Sequence, residues 1–163
     1  MTINITNIEK AKQEINNAAQ AGVGGRGAGR WEKSATHKAT PITVQAQEDN
    51  FNRKLLEYGK FQILLFPDKS NRRDKPKQLD SGLNHVMARI ATKNKVAIGF
   101  NIKEIQNLNK KEKAIELGRL KQNIKICKKA KTKIKLINYK DKKDAQNFLL
   151  SLSASTQQAK EAI

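Results

Sequence analysis

The sequence predicts an α/β protein with a parallel sheet, and two observations carry that prediction. Short apolar runs recur at 42–46, 61–66, 96–100 and 134–137, and each is followed by a stretch whose apolar residues return at helical spacing. Strands that alternate with helices pair in parallel through right-handed crossovers. A length of 163 residues suits one domain. A TIM-barrel-like set of βα repeats and an open doubly wound sheet both satisfy this order.

Taken in order, Ile3 to Ile5 reads as a short strand. Residues 7–21 read as a helix, with Asn7 as cap, Ile8, Ala11, Ile15, Ala18 and Ala19 on one face, and Gly22 as its stop. Residues 22–41 change character: five glycines and two arginines crowd 22–30, and a polar stretch runs to Pro41, which reads as a flexible loop or linker. The strand at 42–46 leads to a helix holding Phe51, Leu55 and Leu56, capped by Asp49 or Asn50 and ended by Gly59. The run Phe61 to Phe66 has the composition of a buried parallel strand and stops at Pro67. A basic loop spans 67–80. Ser81 is then a candidate cap for a helix with Leu83, Val86, Met87 and Ile90 on its apolar face. Val96 to Phe100 is the next strand. A long helix at 110–131 follows, with Leu117, Leu120, Ile124 and Cys127 in one stripe. After the strand at 134–137, two helices at 141–152 and 156–163 close the chain, with Phe148, Leu149 and Leu152 facing inward.

Charge narrows the function. The chain holds 33 Lys and Arg against 15 Asp and Glu, a net charge of +18. Residues 1–50 carry 6 basic and 5 acidic residues, 51–109 carry 12 and 5, and 110–163 carry 15 and 5. Such a field attracts polyanions, so nucleic acid is the first candidate partner, sought beyond residue 50. The single cysteine, Cys127, allows no internal disulfide and fits a reducing compartment. No apolar run is long enough to span a bilayer, and Met1-Thr2-Ile3-Asn4 does not open like a secretory signal. The expectation is a cytoplasmic protein with no membrane partner.

Four stretches carry a family resemblance. They are 56–67 (Leu56-Glu57-Tyr58-Gly59-Lys60-Phe61 through Pro67), 80–91 (Asp80-Ser81-Gly82-Leu83-Asn84-His85 through Ala91), 95–101 (Lys95-Val96-Ala97-Ile98-Gly99-Phe100-Asn101) and 117–128 (Leu117-Gly118-Arg119 through Lys128). In order and spacing they resemble archaeal-type ribonuclease P protein component 3, from about residue 51 to the C-terminus. The resemblance implies a TIM-barrel-like fold. It also implies a non-catalytic, RNA-binding role in a ribonucleoprotein endoribonuclease whose RNA removes the 5′ leader of precursor tRNA. The implied partners are ribonuclease P RNA and protein component 2, with precursor tRNA met indirectly. No cofactor is expected on the protein, and magnesium is expected for the RNA catalyst. Two departures stand out. Family members carry several strands and helices before the part matching 51–67, whereas here about 50 residues precede it, which leaves the barrel reduced or partly open. Where the family shows an Arg-x-Pro-Arg-Asp motif near the C-terminus, this chain has 138–144, and only Lys143-Asp144 resembles its end. The expected organisation is therefore 1–50 as a short strand and helix plus the Gly/Arg-rich loop, and 51–163 as the component 3-like part of one domain.

Each chemical motif has a plain alternative. A multi-metal hydrolytic site needs several converging His and carboxylate ligands, and His37 and His85 are the only histidines. His85 reads either as a structural residue at a helix start or as an RNA contact. Cys127, on an apolar stripe, reads as core. The segment Gly22 to Gly27 matches a dinucleotide fingerprint but follows a helix, not a strand, so a linker or a phosphate-touching loop fits better.

The basic segments carry more weight. Lys121, Lys125 and Lys128 lie three and four residues apart, opposite much of the apolar stripe, and with Lys129, Lys131, Lys133 and Lys135 form a dense positive surface. The loop at 67–80 adds Arg72, Arg73 and Lys75 beyond the C-terminal end of a strand, where α/β folds place binding sites. The candidate RNA-binding set is Arg72, Arg73, Lys75, His85, Arg89, Lys93, Lys95, Arg119, Lys121, Lys125 and Lys128. Among the aromatics only Trp31 and Tyr139 stand apart from core elements, which favours a folded RNA read by shape and charge over a single strand held by stacking. A ribosome-associated structural RNA-binding protein is the alternative, and a divergent metal-dependent phosphoesterase a third.

Overall fold

A computed structural model describes residues 2–21, 41–67, 74 and 79–163. The elements are β1 (Thr2–Ile3), α1 (Ile8–Gln20), β2 (Thr43–Gln45), α2 (Asp49–Tyr58), β3 (Ile63–Leu65), α3 (His85–Lys93), β4 (Ala97–Asn101), α4 (Ile102–Asn107), α5 (Lys110–Ala130), β5 (Ile134–Ile137), α6 (Lys142–Ser151) and α7 (Thr156–Glu161).

The five strands form one sheet in the order β1-β2-β3-β4-β5, every pair parallel. Strand order decides between the two architectures left open by the sequence. A doubly wound sheet reverses direction at a switch point, and this sheet has none. Each strand adds beside its predecessor, as in a barrel, but the five strands among the described residues fall short of the eight that close one. β1 and β5 remain the two edges. At the β5 edge the Leu136 N–H donates to the Ala162 carbonyl at 2.9 Å, so the end of the chain pairs with that strand.

Register sorts the strand residues into two faces. Ile3, Val44, Leu64, Ile98 and Ile134 are paired in register and almost wholly buried. They form the core with helix residues such as Ala11, Ile15, Leu55, Met87, Ile124 and Leu149. Alternation puts Thr43, Ile63, Leu65, Gly99 and Lys135 on the other face. Ile63 and Leu65 are buried yet stand outside that core. Gly99 has no room for a side chain, since an added Cβ would lie 2.6 Å from Ile63 Cγ2.

Several local expectations change. Asn84, not Ser81, caps α3: its side chain accepts from the Met87 N–H at 2.9 Å. Ser81 sits buried in a turn where Gly82 takes φ 71° and its N–H donates to the Asp80 carboxylate. Val86 points outward, 56% exposed, because α3 begins only at His85 and the buried stripe runs through Met87, Ala88 and Ala91. Asp49 lies inside α2, with Glu48 at the cap position. The strand expected at 61–66 is regular only over Ile63–Leu65. The Gly22 stop and the Gly/Arg-rich segment lie outside the described residues.

Candidate nucleic-acid interface

α3 and α5 pack against each other and carry most of the candidate cations. On α3, His85, Arg89 and Lys93 follow one another four residues apart, so they share one exposed stripe. The His85 imidazole makes no hydrogen bond among the described residues, and the cap belongs to its neighbour Asn84. On α5, Lys121, Lys125 and Lys128 are all exposed, as is Lys129. Lys95 lies just beyond α3 and is exposed as well.

The C-terminal ends of the two helices are tied together. The Thr132 hydroxyl donates to the Ala88 carbonyl at 2.9 Å, and the Thr92 hydroxyl reaches the Ala130 carbonyl at 3.0 Å. The Asn94 amide donates to the Leu56 carbonyl at 2.6 Å, which joins the end of α3 to the end of α2. Three helix-to-strand connections therefore lie side by side at the N-terminal edge of the sheet.

The opposite edge, at the strand C-termini, is built differently. Its polar groups bond one another. Asn52 exchanges two hydrogen bonds with the Gln47 backbone, at 2.7 and 2.9 Å. Asn138 donates to Asn101 at 3.0 Å, and Asn101 donates to Glu104. The first turns of α2, α4, α5 and α6 carry Asp49, Glu104, Glu112 and Asp144, where an anion complements the helix dipole.

Arg119 belongs to this internal bonding, contrary to its expected place on the RNA face. Its side chain is 8% exposed, with Glu116 at 2.6 Å and Asp74 at 3.0 Å. The Asp80 backbone N–H and the Arg119 guanidinium hold the Asp74 carboxyl below its ordinary range. Gly118 makes room for this packing, since a Cβ there would lie 2.7 Å from Leu79 Cδ1. Lys135 also leaves the outer surface. It lies half-buried on the second sheet face, and burial, with Lys133 and Lys142 nearby, lowers its ammonium pKa. Cys127 is buried, and burial pushes its thiol up to about 12, so it is a core residue. Arg72, Arg73 and Lys75 lie outside the described residues, as do Trp31 and His37.

Two features escaped the sequence reading. Lys60, at the end of α2, joins the same edge as Lys93 and Lys95, and its ammonium sits 5.3 Å from the Tyr58 ring centroid. Asp74 as the partner of Arg119 was also missed. The only local hint was Glu116, three residues before Arg119.

The arrangement defines a class: a singly wound, barrel-type α/β protein with a strongly basic outer layer. Among known proteins, its homologues are ribonuclease P protein component 3. It is 28% identical to that protein from Methanococcus maripaludis strain C7 over 102 residues, which is 63% of this chain and 41% of the relative. It is 31% identical to that from Methanocaldococcus jannaschii over 97 residues, 60% of this chain and 39% of the relative. The chain thus spans about two fifths of the length of these curated relatives. No family model matches the sequence. Its fold is similar to a chain in the cryo-EM structure of archaeal ribonuclease P with mature tRNA. The TM-score is 0.71 at 22% identity, over 99% of this chain and 62% of that one. No described helix is long and apolar enough to cross a membrane.

Proposed function

We propose that this chain is a non-catalytic, RNA-binding subunit of a ribonuclease P ribonucleoprotein, supporting RNA-catalysed removal of the 5′ leader from precursor tRNA. The observation that carries this reading is the homology to ribonuclease P protein component 3, together with a fold alike over nearly the whole chain. The net charge of +18 and the exposed stripes of α3 and α5 support a polyanionic partner. On this reading ribonuclease P RNA and protein component 2 are its direct partners, and the complex works in the cytoplasm. Magnesium serves the RNA catalyst. His85, Arg89, Lys93, Lys95, Lys121, Lys125 and Lys128 meet phosphates, joined by Arg72, Arg73 and Lys75, whose two guanidinium groups suit bidentate grip of phosphate oxygens.

The test is to sequence the RNA that copurifies with the tagged chain. Enrichment of ribonuclease P RNA is expected, with loss of that RNA in high salt. Ribosomal RNA in its place would instead make the chain a general structural RNA-binding protein. A companion measurement uses the Arg72→Ala/Arg73→Ala double variant in a reconstituted complex at low magnesium. It should cleave more slowly while the protein stays folded.

A further inference from the structure

We infer that the N-terminal edge of the sheet, opposite the edge where barrel-type folds place their sites, is the surface that receives the phosphate backbone of double-helical RNA. This inference deepens the RNA-binding reading above and rests on it only for the nature of the polyanion.

Three observations lead there. The first is segregation. The three connections at this edge, 59–62, 94–96 and 131–133, hold four lysines and no acid; the last turns of α3 and α5 add Lys93, Lys128 and Lys129, and that of α2 carries Glu57, already paired with Arg53. Hydrogen bonds from Thr92, Thr132 and Asn94 hold those connections side by side.

The second is the absence of internal neutralisation. Lys93, Lys95, Lys128, Lys129 and Lys131 are exposed, and none has an ion-pair partner among the described residues. The other edge also exposes lysines, among them Lys110, Lys111, Lys142 and Lys143, but there the acids Glu112 and Asp144 at the helix starts lie among them.

The third is conformational. In the connections after α2, α3 and α5, one residue takes a left-handed backbone: Gly59 (φ 65°), Lys95 (φ 57°) and Lys131 (φ 58°). That region favours glycine or asparagine. The helix dipole explains cations in the last turns of α3 and α5. It does not explain lysine at two positions whose backbone disfavours it. Asn138 and Ser153 share this backbone elsewhere in the fold, but among the described residues the cations that adopt it, Lys95 and Lys131, both lie at this edge.

The recognition mode follows from what surrounds the charges. Tyr58 is the edge's one partly exposed aromatic, and its ring already lies under Lys12 and Lys60. Phe61 is buried. With no free ring to stack on unpaired bases, the edge suits regularly spaced phosphates of a helix, met by flexible point charges.

The experiment uses the full chain and a fluorescent RNA duplex lacking loops. Lys95→Gly/Lys131→Gly removes two charges while giving the backbone the residue it favours. Lys110→Gln/Lys111→Gln removes two charges at the other edge as control. The first variant should bind roughly tenfold more weakly, and its log–log salt slope should fall by about 1.8. Its melting temperature should hold or rise. The control should stay within about twofold of the parent. Parental affinity and slope in the first variant would overturn the inference, and so would equal losses in the two variants. A preference for single-stranded over duplex RNA, lost with the same lysines, would overturn it as well. If ribonuclease P RNA fails to copurify but duplex binding depends on this edge, the functional reading falls and the inference stands. If that RNA copurifies and the edge variant binds normally, the inference alone falls.

Discussion

The two ends of the strands solve opposite problems with the same kinds of side chain. At the C-terminal edge, one arginine and several amides turn inward. Arg119 clamps Glu116 and Asp74, Asn52 closes on Gln47, and Asn138 reaches Asn101. At the N-terminal edge, the amide of Asn94 and the hydroxyls of Thr92 and Thr132 do the fastening, and the lysines are left to solvent. Arg119 at the first edge holds the fold. Lys93, Lys95, Lys128, Lys129 and Lys131 at the second contribute little to it, because exposed charges outside an ion pair are worth little to stability. Net charge alone conceals this division, since both edges are rich in lysine.

Breaking the first edge should give the largest effect. Arg119→Met removes the guanidinium that the nearly buried Glu116 and Asp74 share. Chemical denaturation should show a loss of about 3 kcal/mol. RNA affinity measured on the folded fraction should not change. A variant that keeps its stability but binds RNA poorly would return Arg119 to the interface.

A smaller effect is expected at the connections of the second edge. Gly59→Ala meets both a left-handed backbone and the Asn94 side chain, 2.8 Å from the new Cβ. It should lower stability by roughly 2 kcal/mol. Lys95→Gly and Lys131→Gly should act in the opposite direction, each raising stability by about 0.5–1 kcal/mol. Thermal melts of the three variants check this sign reversal at three similar turns.

Between the edges, Cys127 should resist alkylation at pH 8 until the protein unfolds, since its thiol is pushed up to about 12. Mass spectrometry of folded and denatured samples checks it.

The smallest effect concerns acid. The folded Asp74 carboxyl sits below its ordinary value of 3.8, so its contribution is full above that pH. That contribution disappears as pH falls through the lower, folded value. Asp74→Asn should therefore narrow the stability difference between neutral pH and about pH 3.

The sequence made the elements with strong period and clear boundaries legible. Ile134 to Ile137 is flanked by lysines on one side and Asn138 on the other, and the strand occupies those four residues. The 21 residues of α5 repeat their apolar stripe often enough to mark its length. α4 was invisible because six residues make less than two turns and display no period. The cap of α3 was misplaced because Ser81 and Asn84 are both good caps. Only the backbone of the intervening turn, set by Gly82, decides between them. Arg119 was misread because one of its two partners, Asp74, lies 45 residues away, and Glu116 alone does not tell a buried ion pair from an exposed one. The stripe of α5 was readable from spacing, while that of α3 emerges only with the helix placed. That they end at one edge follows from strand order, which spacing does not encode.

The hydrogen bond between Leu136 and Ala162 has a consequence for how the molecule behaves in a crowded solution. An open rim of peptide groups invites stray chains to stack on it, and many proteins shield such rims. Here the Leu136–Ala162 bond takes up one peptide group of the β5 rim, and a strand arriving at that side would have to displace it.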